Sequence, residues 1–86
     1  MVSRTLRWSP EAQENFNEIL AFYQERNGNS AYGDELSNRI EKALEYLIFN
    51  PYSGERARQR GFRFVIVKPF QLFYRVTKTE IIVAAV

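Results

Sequence analysis

The sequence predicts an α+β fold of order βααβββ, with a helical hairpin packed on one face of a mostly antiparallel four-stranded sheet. Three observations predict it. Two stretches in the first half carry apolar residues at helical spacing, joined by Asn27-Gly28-Asn29. Three short β-branched and aromatic runs fill the end of the chain, separated by turn residues. A short period-two run, with Leu6 and Trp8 on one face, opens it. Helices on one side and strands paired beside them is the α+β solution to burying both apolar faces. With 86 residues and no internal linker, residues 1–86 read as a single domain.

Each element follows from local sequence. Residues 3–8 form the first strand. Ser9 is placed to cap a helix, Pro10 suits its first position, and Glu11 complements its dipole. Ala12, Phe16, Ile19, Leu20 and Tyr23 then mark one helical face. Gly28 ends that helix. Ser30 is expected to cap the second helix, whose stripe is Leu36, Ile40, Ala43, Leu44 and Leu47. Asn50-Pro51 stops it, because a residue before proline avoids the helical region. Residues 52–61 read as a loop. Strands follow at 62–67, 70–76 and 80–86. The last of these, Ile81-Ile82-Val83-Ala84-Ala85-Val86, is apolar on both faces, which predicts a central strand or one covered by a partner. The expected core is Leu6, Trp8, Phe16, Ile19, Leu20, Leu36, Ile40, Leu44, Leu47, Leu72 and Val83.

Composition excludes several chemistries. There is no cysteine and no histidine, so thiol nucleophiles, zinc-thiolate sites and imidazole acid–base devices are unavailable. Glu11, Glu14, Glu18, Glu41 and Glu45 are spread along amphipathic helices and read as solvated faces, so neither metal nor cofactor is expected. No apolar run approaches ~18 residues and the first residues are too polar for a signal peptide, which gives a cytoplasmic expectation and no membrane partner.

Charge is the informative feature. Residues 1–55 hold 5 Lys/Arg and 9 Asp/Glu, a balance of −4, and residues 56–86 hold 7 and 1, a balance of +6. Arg56, Arg58, Arg60 and Arg63 fall within eight positions. If 56–60 is extended, the first three point one way. Lys68 and Arg75 add cations from the same sheet, and Phe70, Phe73 and Tyr74 interleave aromatic surface, a combination suited to phosphate contacts and base stacking. The bland alternative is a solvated loop, or arginines paired with Glu41 and Glu45.

The stretch Leu6–Tyr23, the run Asn50-Pro51-Tyr52-Ser53-Gly54-Glu55-Arg56, the run Arg63–Val76 and the closing Glu80–Val86 together resemble the RelE/ParE superfamily of type II toxin–antitoxin toxins, many of which are plasmid-stabilisation modules. Arg63, Phe70 and Tyr74 match that family's arginine, aromatic and tyrosine spacing. The resemblance implies a toxin neutralised by a cognate antitoxin, and the +6 balance of residues 56–86 with the doubly apolar last strand predicts that this antitoxin is acidic and the complex tight and salt-sensitive. The resemblance implies one of two actions. A ParE-like member binds and inhibits DNA gyrase and needs only a shaped basic surface. A RelE-like member is an mRNA endoribonuclease acting on the ribosome, for which Arg58, Arg60 and Tyr74 are the residues available. The long helical pair favours the binding inhibitor, with Arg56, Arg58, Arg60, Arg63, Lys68 and Arg75 facing the target. Members normally continue past the last strand with a short basic segment, whereas this sequence ends at Val86. On that ground the resemblance implies weak toxicity for the 86-residue chain, or a relative that only binds antitoxin and represses transcription with it.

Overall fold

A computed structural model describes residues 4–86, so Ser3 of the expected first strand lies outside the described residues. Strand β1 spans Thr5–Trp8, helix α1 Pro10–Asn27, helix α2 Ala31–Phe49, β2 Glu55–Arg56, β3 Arg63–Val67, β4 Phe70–Val76 and β5 Glu80–Ala85. The expected α+β order is present, with one correction. The sheet has five strands, in the order β1-β5-β4-β3-β2. The added strand β2 comes from the region read as loop. It pairs Glu55 with Phe64 and Arg56 with Arg63. Two residues are too few to show a period-two pattern, so pairing with β3 rather than local sequence defines it.

The sheet is mixed. β1 runs parallel to β5, and the other pairs are antiparallel. β5 is central in the sheet, hydrogen-bonded to β1 on one edge and β4 on the other. Ile81 and Val83 point into the core, and Ile82 is buried on the opposite face between its register neighbours Arg7 and Arg75. Aliphatic arginine stems can cover such a residue while their heads stay in water.

Local chemistry fixes the helix ends. The Ser9 hydroxyl accepts from the Ala12 N–H at 3.1 Å, as expected of an N-cap. The Gly28 N–H donates to the Gln24 carbonyl at 2.9 Å. Ser30 differs from expectation. It stands at the cap position but its side chain makes no cap hydrogen bond and instead contacts the Asp34 carboxylate. Asn29 takes over, its Oδ1 accepting from the Ala31 N–H at 3.0 Å. The Asn50 N–H closes α2 on the Tyr46 carbonyl.

The core lies between the helices and one sheet face. Phe16, Leu36, Ile40, Leu44, Leu47, Leu72 and Val83 are buried as expected. Leu6, Trp8, Ile19 and Leu20 pack on its margin and remain partly exposed. Ala12, Val67, Tyr74 and Ile81 complete it. Trp8 stacks on Phe16 with ring centroids 5.4 Å apart, which ties β1 to α1. Glu11, Glu14, Glu18, Glu41 and Glu45 are all exposed, as read from the helical pattern. Among the described residues no helix is long and apolar enough to cross a membrane.

Candidate target-binding surface

Strands β2 and β3 form a short hairpin whose turn carries the basic cluster. The Ala57 N–H donates to the Phe62 carbonyl at 2.9 Å, and the Phe62 N–H to the Gln59 carbonyl at 3.2 Å. Gly61 takes φ 87°, a left-handed value that favours glycine and lets the chain turn back into β3. Only Glu55–Arg56 is strand, so Arg56, Arg58 and Arg60 do not lie along one extended stretch. The turn still gathers the side chains. Arg56, Arg58, Arg60 and Arg63 line one surface depression of about 550 Å³, with Tyr52 and Phe62 beside them.

Within that cluster the arginines are not equivalent. Arg56, Arg58 and Arg60 are exposed. Among the described residues the ion pairs are Arg7–Glu80 at 2.9 Å and Arg39–Glu35 at 4.0 Å, so these three arginines pair with neither Glu41 nor Glu45. Arg63 is half-buried and committed. Its Nη1 donates to the Tyr52 carbonyl at 3.2 Å and the Gly54 carbonyl at 2.9 Å. It ties the turn after α2 to the sheet.

Tyr74 is also structural in its placement. Its side chain is fully buried. The hydroxyl donates to the Pro51 carbonyl at 2.9 Å and accepts from the Gly54 N–H at 3.0 Å. Its one proton is thus spent inside the protein. Arg63 and Tyr74 are opposite one another in register, and both hold the segment Pro51–Gly54. The proline, glycine, arginine and tyrosine that carry the family resemblance therefore form one clip.

Burial pushes the Tyr74 hydroxyl above the ordinary tyrosine pKa, while the Gly54 N–H and the Arg63 charge pull it partly back. The neutral form is favoured in the folded state, so folding stability is complete below about pH 10 and falls as the pH rises through the folded value. Thermal unfolding across this range is expected to show a steeper loss in the wild type than in Tyr74→Phe. The variant should be less stable at neutral pH by about 1–3 kcal/mol, since Gly54 and Pro51 lose a partner. Parallel pH profiles for the two proteins would contradict this assignment.

The remaining sequence-predicted residues do not join the cluster. Lys68 is exposed in the β3–β4 turn, at the opposite end of β3 from Arg63, and its carbonyl accepts from Arg39 at 2.9 Å. Arg75 is exposed, and as the neighbour of inward-facing Tyr74 it projects from the other sheet face. Phe70 packs at the core margin near Tyr23, with centroids 6.4 Å apart. Phe73 pairs with Phe64 at 5.7 Å. The aromatic groups that do accompany the arginines are Phe62 and the more exposed Tyr52. The guanidinium carbons of Arg63 and Arg4 lie 5.3 and 5.9 Å from the Tyr52 ring centroid. Its place in Asn50-Pro51-Tyr52-Ser53-Gly54, directly after a helix stop, was the available signal.

Comparison with known proteins agrees with this architecture. The family model described as the ParE toxin of the type II toxin–antitoxin system, parDE, matches residues 6–86. Among solved structures, a chain of the chromosomal ParDE system from P. aeruginosa superposes with a TM-score of 0.81 at 21% identity, covering 96% of this chain and 92% of that one. The YoeB dimer from Staphylococcus aureus gives 0.66 at 17% identity, covering 98% and 94%. The E. coli DinJ-YafQ toxin–antitoxin complex gives 0.60 at 14% identity, covering 98% and 90%. At these identities the superpositions speak for the fold. No curated protein matches the chain significantly in sequence. The family-model match over nearly the whole length places the chain in the ParE toxin family of type II toxin–antitoxin systems.

Proposed function

We propose that this toxin acts by binding and inhibiting DNA gyrase, through the β2–β3 hairpin, and is neutralised by a cognate acidic antitoxin. The observation that carries the reading is the division of labour among the expected site residues. Arg56, Arg58 and Arg60 project into one exposed depression. Tyr74, the proton-transfer group an mRNA-cleaving mechanism would draw on, is sealed in the core with its hydroxyl donating to the Pro51 carbonyl. An arginine stays protonated and cannot act as a general base. RNA cleavage needs proton transfer as well as phosphate stabilisation, whereas inhibition by binding needs only the surface. The helical pair of 18 and 19 residues supports the same branch. The basic face and the acidic antitoxin are complementary in charge, which favours rapid encounter.

Supercoiling of relaxed plasmid by purified gyrase tests the proposal. The wild-type chain is expected to inhibit it. The double variant Arg58→Ala/Arg60→Ala should need about tenfold more protein for half-inhibition, roughly the effect of losing two charged contacts. Its thermal stability should be unchanged, because both side chains are exposed. Equal inhibition by variant and wild type would remove the hairpin from the interface.

A further inference from the structure

Tyr52 is held in place and left open. Arg63 is fixed by two carbonyls, and the Arg4 Nε donates to the Thr77 carbonyl at 2.7 Å. Both guanidinium groups lie against the Tyr52 ring, so two anchored cations orient it. Yet Tyr52 is 61% exposed. Its side chain is not needed for the clip, since Arg63 uses the Tyr52 backbone carbonyl. Three residues earlier, Phe49 ends α2 with 74% of its surface exposed. Tyr52 lines the same depression as Arg56, Arg58 and Arg60, none of which has an ion-pair partner among the described residues.

From this juxtaposition we infer that the depression is a binding site for an unpaired nucleic-acid strand, with phosphates on Arg56, Arg58 and Arg60 and a base stacked on Tyr52. An acidic peptide would satisfy the arginines but offers the exposed ring a planar group only where an aromatic side chain happens to fall. A nucleic-acid strand supplies an anion and a flat aromatic face at every repeat, and stacking on aromatic side chains is tolerant of sequence. Paired bases keep their faces covered, so a duplex would use only the arginines. The source consistent with a gyrase target is DNA. The inference extends the proposed function, and its test separates the two.

The experiment is fluorescence anisotropy of the full chain with a labelled oligo(dT) of about 12 nucleotides, a length within the usual range for such sites. Salt is varied over roughly 50–200 mM. Tyr52→Ala is expected to weaken binding about tenfold or more without changing the salt slope, whereas Tyr52→Phe should bind as the wild type does. Arg58→Ala/Arg60→Ala should lower the slope of log K against log salt by about 1.4, two contacts at ~0.7 each. Poly-glutamate should compete poorly, and oligo(dT) should bind at least as tightly as oligo(U). Wild-type affinity in Tyr52→Ala, equal competition by poly-glutamate, or binding confined to oligo(U) would each overturn the DNA-strand site. Supercoiling inhibition measured on the same preparations reports separately on the gyrase reading. Inhibition that survives in Tyr52→Ala alongside unimpaired oligo(dT) binding would therefore remove the strand site and leave gyrase inhibition standing.

Discussion

Gly54→Ala is expected to destabilise the protein by about 3 kcal/mol or more, although it adds a single methyl group. A Cβ at this position would lie 2.8 Å from the Phe64 carbonyl oxygen and 2.8 Å from Tyr74 Cε1, and would meet the Tyr74 hydroxyl as well. Neither neighbour can give way cheaply. The carbonyl belongs to β3, paired on both edges to β2 and β4. The tyrosine is fully buried. Overpacking of this kind costs ~1–3 kcal/mol. Any shift that relieves it also stretches the hydrogen bonds joining Gly54 to Tyr74 and Arg63, each worth about 1 kcal/mol. A domain of this size has only ~5–15 kcal/mol in total. Urea unfolding measures the effect, and a loss below about 1 kcal/mol would show that the clip can rearrange. The change should also disturb Tyr52 and the arginine depression, because the clip positions both.

The second large effect is expected in the core. Leu47 is fully buried near the end of α2, and Leu47→Ala should cost ~2–5 kcal/mol through lost burial and the cavity left behind. Phe49→Ala, two residues on, removes a larger side chain that is mostly exposed. It should change stability by no more than about 0.5 kcal/mol. The same unfolding experiment on both variants tests the assignment of the helix faces. A Phe49→Ala loss as large as that of Leu47→Ala would place the buried stripe on the wrong side.

The elements with a repeating pattern were legible in the sequence. The stripe Leu36, Ile40, Leu44 and Leu47 announces α2, and Ser9-Pro10 announces the start of α1. The strand β2 was not legible, because Glu55–Arg56 is defined by its partner across a hairpin. The arginine cluster was visible as composition, but its membership depends on tertiary geometry. A hairpin sends Lys68 to the far end from Arg63. Strand alternation sends Arg75 to the face opposite Tyr74. The burial of Tyr74 was within reach, since it follows buried Leu72 at period two. Tyr52 sits in an aperiodic turn, so its exposure and its two cation partners emerge only once Arg4 and Arg63 are brought together from distant parts of the chain.

We propose that the arginine depression inhibits gyrase by occupancy and not by turnover. The most direct measurement is the dose and time dependence of supercoiling inhibition, run beside cleavage of a reporter mRNA on translating ribosomes. Occupancy predicts inhibition that saturates near one chain per binding site, is constant in time once equilibrium is reached, and is relieved when a tight binder of the basic face is added. Intact gyrase activity, with reporter mRNA cut progressively by substoichiometric amounts of the chain, would rule out inhibition by occupancy.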